Sequence, residues 1–177
     1  SRSIDCGVAR YGMKRVRRNP ARFMRALRSA KEILIVCHGN IIRSPFAAEL
    51  LARDIGAAPV RVVSGGVAAV PGNPPHPVAR RLATSRAVDL SHHAASPLDD
   101  GRVAASDVIF VMDIPLLVAM RRRFPQARHK TFLITCLAAD APLEIRDPVD
   151  GDDLRFQACF DHICQAVRPI VNALGPV

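Results

Sequence analysis

The chain has no tryptophan and no apolar run near the ~18 residues that a membrane span requires, so a transmembrane helix is not expected. It also lacks a cysteine framework. Its five cysteines (Cys6, Cys37, Cys136, Cys159, Cys164) are odd in number and irregular in spacing, and 177 residues suffice for a packed core without disulfides. A reduced, cytoplasmic protein is the expectation. No two cysteines lie two to four positions apart, and adjacent His92 and His93 point their side chains apart, so no metal site and no cofactor is expected. Internal repeats and low-complexity linkers are missing too, which leaves one domain beyond the N-terminus.

Most of the chain also lacks net charge. Of the 25 Lys and Arg and 16 Asp and Glu that give the formal +9, ten bases and one acid lie in residues 1–31, and fifteen of each sign share the rest. A neutral body excludes a basic nucleic-acid-binding face on the fold, and no nucleic-acid partner is expected. Residues 1–18, with the run Lys14-Arg15-Val16-Arg17-Arg18, show no periodicity and read as a solvated arm open to an acidic partner or a membrane surface. The next stretch reads as a short amphipathic helix. Asn19 can cap it, Pro20 suits its first position, and Phe23, Met24, Leu27 and Ala30 form a stripe opposite a row of arginines. An Arg-rich, acid-poor N-terminus of this kind also resembles an organellar transit peptide. The predicted division is a basic arm over 1–31 and a folded domain over 32–177.

What the domain does have is alternation. The runs EILIVC (32–37), VRVVSGG (60–66), VIFVM (108–112) and TFLIT (131–135) are apolar on both faces, as buried parallel strands are. Helical patterns over 44–56, 75–87, 114–124 and about 152–174 follow them, the last with Pro169 as an expected kink. The fold predicted is a single α/β domain, a parallel four-stranded sheet with helices on both faces.

In such a sheet, ligands sit where strands hand over to helices at their carboxyl ends. VCHGNIIRSPF (36–46) occupies the first handover. A thiol there lies beside the positive end of a helix and near Arg43, both of which favour thiolate. The N–H groups of His38, Gly39, Asn40, Ile41, Ile42 and Arg43 can wrap a tetrahedral oxyanion. Gly39 allows close approach, Asn40 tolerates a left-handed conformation, and the Arg43 fork matches two phosphate oxygens. Ser44 is placed to cap the helix and to donate to the sulfur, with Pro45 in the first turn. The alternative for Cys37 is an inert buried thiol at a strand end. Downstream, EIRDPVDGDD offers Asp147, held by a following proline, as an acid for a departing oxygen; the alternative is an ordinary Asp-Pro turn followed by a helix cap.

Together, VCHGNIIRSPFAAELL, VVSGG, DLSHHA, DVIFVMD and DPVDGDD, in this order from about Glu32 to Leu174, resemble the low-molecular-weight protein tyrosine phosphatase family. The resemblance implies a metal-independent catalytic domain over 32–177 acting on a phosphorylated protein or small phosphoester. Cys37 would be the nucleophile of a cysteinyl-phosphate intermediate, Arg43 the phosphate binder and Asp147 the general acid. Ser44 would stabilise the thiolate, and Ser64 and His93 would hold Asn40. Two departures bear on substrate and redox behaviour. Ile42 stands where the family commonly has a second cysteine, and Val149, Asp150 and Val70 stand where aromatics are common. Two rival readings share the fold: a thioredoxin-coupled arsenate reductase and a non-catalytic phosphate-binding scaffold. The reductase's two further cysteines should follow the third strand, where MDIPLL has none, and Cys159 and Cys164, ~140° apart on a helix, are poor partners.

Overall fold

Each apolar run forms a strand in the computed structural model, which describes residues 2–175. β1 (Glu32–Cys37), β2 (Arg61–Gly66), β3 (Val108–Val111) and β4 (Thr131–Leu133) make a parallel sheet in the order β2-β1-β3-β4. Every residue of β1 and β3 is buried, because both faces of the central strands are covered by helices. In this order β1 has β2 on one side and β3 on the other, so the chain reverses direction across the sheet at the carboxyl end of β1. That is the point at which such a sheet opens a crevice.

The helices are α1 (Arg2–Arg18), α2 (Ala21–Arg28), α3 (Arg43–Ile55), α4 (Pro77–Thr84), α5 (Asp100–Ala105), α6 (Ile114–Arg123) and α7 (Asp153–Leu174). Packing separates them into groups: α3 lies on α7 with Phe46 and Phe160 stacked at 4.0 Å between ring centroids, while α6 lies against α1. α7 continues through Pro169 as one helix. α5 falls in a stretch where the sequence predicts no helix; Asp99 starts it by accepting the Arg102 N–H, and six residues are too few for a periodic pattern to register.

The N-terminus departs from expectation. Residues 2–18 are not a solvated irregular arm but helix α1, with Ala9 and Met13 only 2% exposed against the body. Two buried residues per helix are too sparse to show as periodicity, and the high charge between them masks the pattern. α1 also changes how the next helix begins. The Asn19 N–H closes α1 on the Arg15 carbonyl, so Asn19 does not cap α2, and Pro20 takes the cap position with no side-chain cap. The α2 stripe lands as expected, with Phe23, Leu27 and Ala30 buried and Met24 half-buried. Among the described residues, no helix is long and apolar enough to cross a membrane.

Candidate active site

β1 ends on Cys37 and α3 begins on Arg43, leaving a five-residue loop between strand and helix. Its turn depends on Asn40, whose φ of 55° lies in the left-handed region that asparagine enters more readily than most residues. That turn aims the Asn40 N–H at Cys37 Sγ, 3.2 Å away. Asn40 is completely buried and saturated. Its Nδ2 donates to Ser44 Oγ (2.8 Å) and Ser64 Oγ (2.9 Å), its Oδ1 accepts the Ser96 N–H (2.9 Å), and its carbonyl accepts from His93 Nε2 (2.7 Å). With Nε2 donating, the His93 tautomer is set by this bond.

Ser44 does not cap α3, contrary to the sequence expectation. Ile42 holds the cap position with no side-chain bond, because the Ser44 hydroxyl is turned back to the sulfur, 3.0 Å from Cys37 Sγ and 3.3 Å from the Gly65 carbonyl. Since Ser44 Oγ accepts from Asn40, its single proton is left for the sulfur or that carbonyl. Pro45 does sit in the first turn. Among the described residues, no side chain caps the start of α3, so its first N–H groups remain free to bind an anion.

Arg43 is 2% exposed, and its guanidinium gathers the site. Nη1 donates to Asp113 Oδ2 (2.8 Å) and to the Ile145 carbonyl (3.0 Å), and Nη2 pairs with Asp147. Nε is buried and has no partner among the described residues. Burial alone would lower the Arg43 pKa, but the Cys37 sulfur and the carboxylates of Asp147 and Asp113 outweigh it and raise the value. A permanently cationic, forked donor with its Nε unpartnered beside a buried sulfur suits a tetrahedral oxyanion.

Asp147 sits in an Asp-Pro turn and also reaches the loop. Its Oδ1 accepts the Val149 N–H (3.2 Å) in an Asp-Pro turn while Oδ2 meets Arg43, and Asp152 caps α7 through the Arg155 N–H (3.0 Å). The remaining loop residues line up as follows. His38 is exposed at the mouth, Ile41 half-buried and Ile42 buried. A Cβ on Gly39 would meet only Ile41 at 3.5 Å, so packing does not demand glycine there. The demanding glycine is Gly66, where a Cβ would lie 2.6 Å from the His38 carbonyl oxygen and 3.0 Å from the Asn40 nitrogen.

Sequence reasoning misses Gly66, Asp113 and Arg102. Arg102 donates to the Ser64 carbonyl (2.7 Å) and to Ser96 Oγ, bracing two of the four residues that hold Asn40. Asp113 was visible only as the end of DVIFVMD, one of many acids following a strand. Val70 and Val149, where aromatics were expected, are 58% and 50% exposed. Among the described residues, all five cysteines are free and no group of three or more His, Cys, Asp or Glu is placed to hold a metal ion. Burial pushes the Cys159 thiol up to about 12, which suits a structural thiol and not the disulfide shuttle of a reductase.

A model of the low molecular weight phosphotyrosine protein phosphatase family matches residues 32–176. A probable low molecular weight protein-tyrosine-phosphatase of Ralstonia nicotianae, EpsP, is 33% identical over 150 residues, covering 82% of this chain and 99% of that protein. The crystal structure of the Erwinia amylovora tyrosine phosphatase AmsI superposes with a TM-score of 0.77 at 31% identity, covering 83% of this chain and 95% of that one. The YwlE arginine phosphatase of Geobacillus stearothermophilus superposes with a TM-score of 0.74 at 27% identity, covering 80% and 91%. The family match begins at β1, so α1 and α2 lie outside it. A cysteine loop at the switch point of the sheet, matched in sequence along the whole body, shows that this phosphatase belongs to the low molecular weight phosphotyrosine protein phosphatase family.

Proposed function

We propose that the chain hydrolyses phosphomonoesters on protein, in the manner of a protein tyrosine phosphatase, through a cysteinyl-phosphate intermediate. One observation carries the reading: the ion pair that joins Arg43 of the loop to Asp147, 104 residues away, puts a carboxyl group at the mouth of the cysteine loop. In the first step Cys37 Sγ forms a bond to phosphorus as the bond to the leaving oxygen breaks, and the Asp147 carboxylic acid gives that oxygen its proton. The loop N–H groups and the Arg43 fork hold the three equatorial oxygens, with Nε gaining the partner it lacks. In the second step water attacks phosphorus, the Asp147 carboxylate takes its proton, and the sulfur departs as thiolate, supported by Ser44 and the Asn40 N–H. Phosphate then leaves and the site is regenerated.

The names of the relatives include both tyrosine and arginine phosphatases, and the exposed Val70 and Val149 offer no ring to stack on a phosphotyrosine. The protein phosphotyrosine class rests on the family match, and a screen of phosphotyrosine, phosphoarginine and phosphoserine peptides ranks the substrates. For the chemistry, hydrolysis of an aryl phosphate without added metal should fall by at least about a thousandfold in Cys37→Ser, and in Asp147→Ala by about a hundredfold or more with a poor leaving group. Equal rates for wild type and Cys37→Ser would remove the nucleophile from this account.

A further inference from the structure

Asp147 rides on a segment with no regular structure. Residues 138–152 run from the end of a 3-10 turn (Ile134–Leu137) to the cap of α7 without helix or strand, so their position depends on individual anchors. At the site end the Ile145 N–H donates to the Met112 carbonyl (2.8 Å), and the Ile145 carbonyl and Asp147 meet Arg43. Further back, Thr135 Oγ1 donates to the Leu143 carbonyl (2.6 Å) and His162 Nε2 to that of Pro142 (3.0 Å), and further anchors come from outside the family match. Arg17 of α1 donates through Nε to the Thr135 carbonyl (3.1 Å), through Nη1 to that of Ala141 (3.0 Å) and through Nη2 to that of Pro142 (3.3 Å). Arg10, two turns earlier on α1, pairs with Glu144 (2.6 Å), whose other oxygen accepts the Ile114 N–H (3.0 Å) one residue from Asp113.

We propose that α1 is a positioning element for the acid: Arg17, assisted by Arg10, clamps the strap that presents Asp147 to the cysteine loop and so governs protonation of the leaving oxygen. A planar fork suits this task, because one guanidinium holds three carbonyls through three separate nitrogens. The docking of α1 makes the clamp rigid, since Ala9 and Met13 are buried against the body and Asp5 pairs with Arg122 of α6. Arg17 is thus a positioning residue and touches no substrate. The family match begins at β1 and so includes no counterpart of α1.

The proposal rests on Asp147 acting as the acid, and its test separates the two. In the full chain, Arg17→Ala should lower kcat about tenfold for phenyl phosphate, which needs its leaving oxygen protonated, but no more than about twofold for 4-nitrophenyl phosphate, with KM unchanged for both. Combined with Asp147→Ala it should cost nothing further on phenyl phosphate, since both changes remove one function. Arg15→Ala deletes the same charge from an exposed position of the same helix and should match wild type. An equal fall on both esters, or the same effect from Arg15→Ala, overturns the clamp. Amide hydrogen exchange gives a readout independent of turnover: in Arg17→Ala the Ile145 N–H should exchange faster while β1 and β3 stay protected. Unchanged exchange at Ile145 overturns the clamp even if the protein is a phosphatase. Hydrolysis of neither ester by wild type removes the acid's role, and the exchange experiment still decides whether α1 holds the strap.

Discussion

Asp113 does two jobs with two oxygens. Oδ1 caps α6 by accepting the Leu116 N–H (2.9 Å), and Oδ2 holds Arg43 Nη1 (2.8 Å). Asparagine can keep the cap but not the charge, so the variants separate the roles. Asp113→Asn should lower affinity for inorganic phosphate and kcat/KM about tenfold with little change in stability, whereas Asp113→Ala should add about 1 kcal/mol of destabilisation from the lost cap. Thermal unfolding and phosphate inhibition measure the two effects, and equal stability of the two variants would refute the capping role. At this scale the arrangement of the loop was legible, because Cys37, Asn40, Arg43 and Ser44 lie within one short stretch and the local turn brings them together. Asp113 and Arg102 were not, because their partners lie on other strands and loops.

At the scale of elements, β2 passes close against the cysteine loop. Gly66 stands opposite Cys37 in the parallel register, and the Ala68 N–H donates to the His38 carbonyl (3.0 Å) just beyond it. A methyl group at Gly66 would press on backbone and not on a yielding side chain tip. Gly66→Ala should therefore shift the loop, costing roughly 1–3 kcal/mol of stability and most of the activity, as thermal unfolding and aryl phosphate turnover would register. Full activity in this variant would show that the loop tolerates displacement. The strands themselves were readable because runs apolar on both faces have few other ways to be buried. Boundaries moved where a single run changes role: TFLIT is strand only to Leu133, and Ile134 already turns toward the strap. The helix α1 was unreadable, since its few buried residues gain meaning only from the surface of α6 beneath them.

For the molecule as a whole, the strap ties acid stability to pH through His162. Its Nε2 donates to the Pro142 carbonyl (3.0 Å), and burial lowers its pKa below the ordinary 6.5, outweighing the bond that raises it. Between the folded and unfolded values the unfolded chain binds the extra proton, so this contribution is intact above about pH 6.5 and is lost as pH falls. His162→Gln can retain the donor without the titration. The loss of melting temperature between about pH 7.5 and about pH 5.5 should be smaller in this variant than in wild type, and parallel curves would exclude His162 as the source. Residue order alone specified the parallel sheet, the place of the cysteine loop and the chemistry that loop suits, because burial pattern and turn geometry act over a few residues. Where Asp147 goes, which carboxylate steadies Arg43, and that an N-terminal helix grips the strap carrying Asp147 depend on groups 70 to 124 residues apart. Such contacts form only when the sheet brings the ends of β1 and β3 together and the strap is laid across them, and no local pattern encodes that meeting.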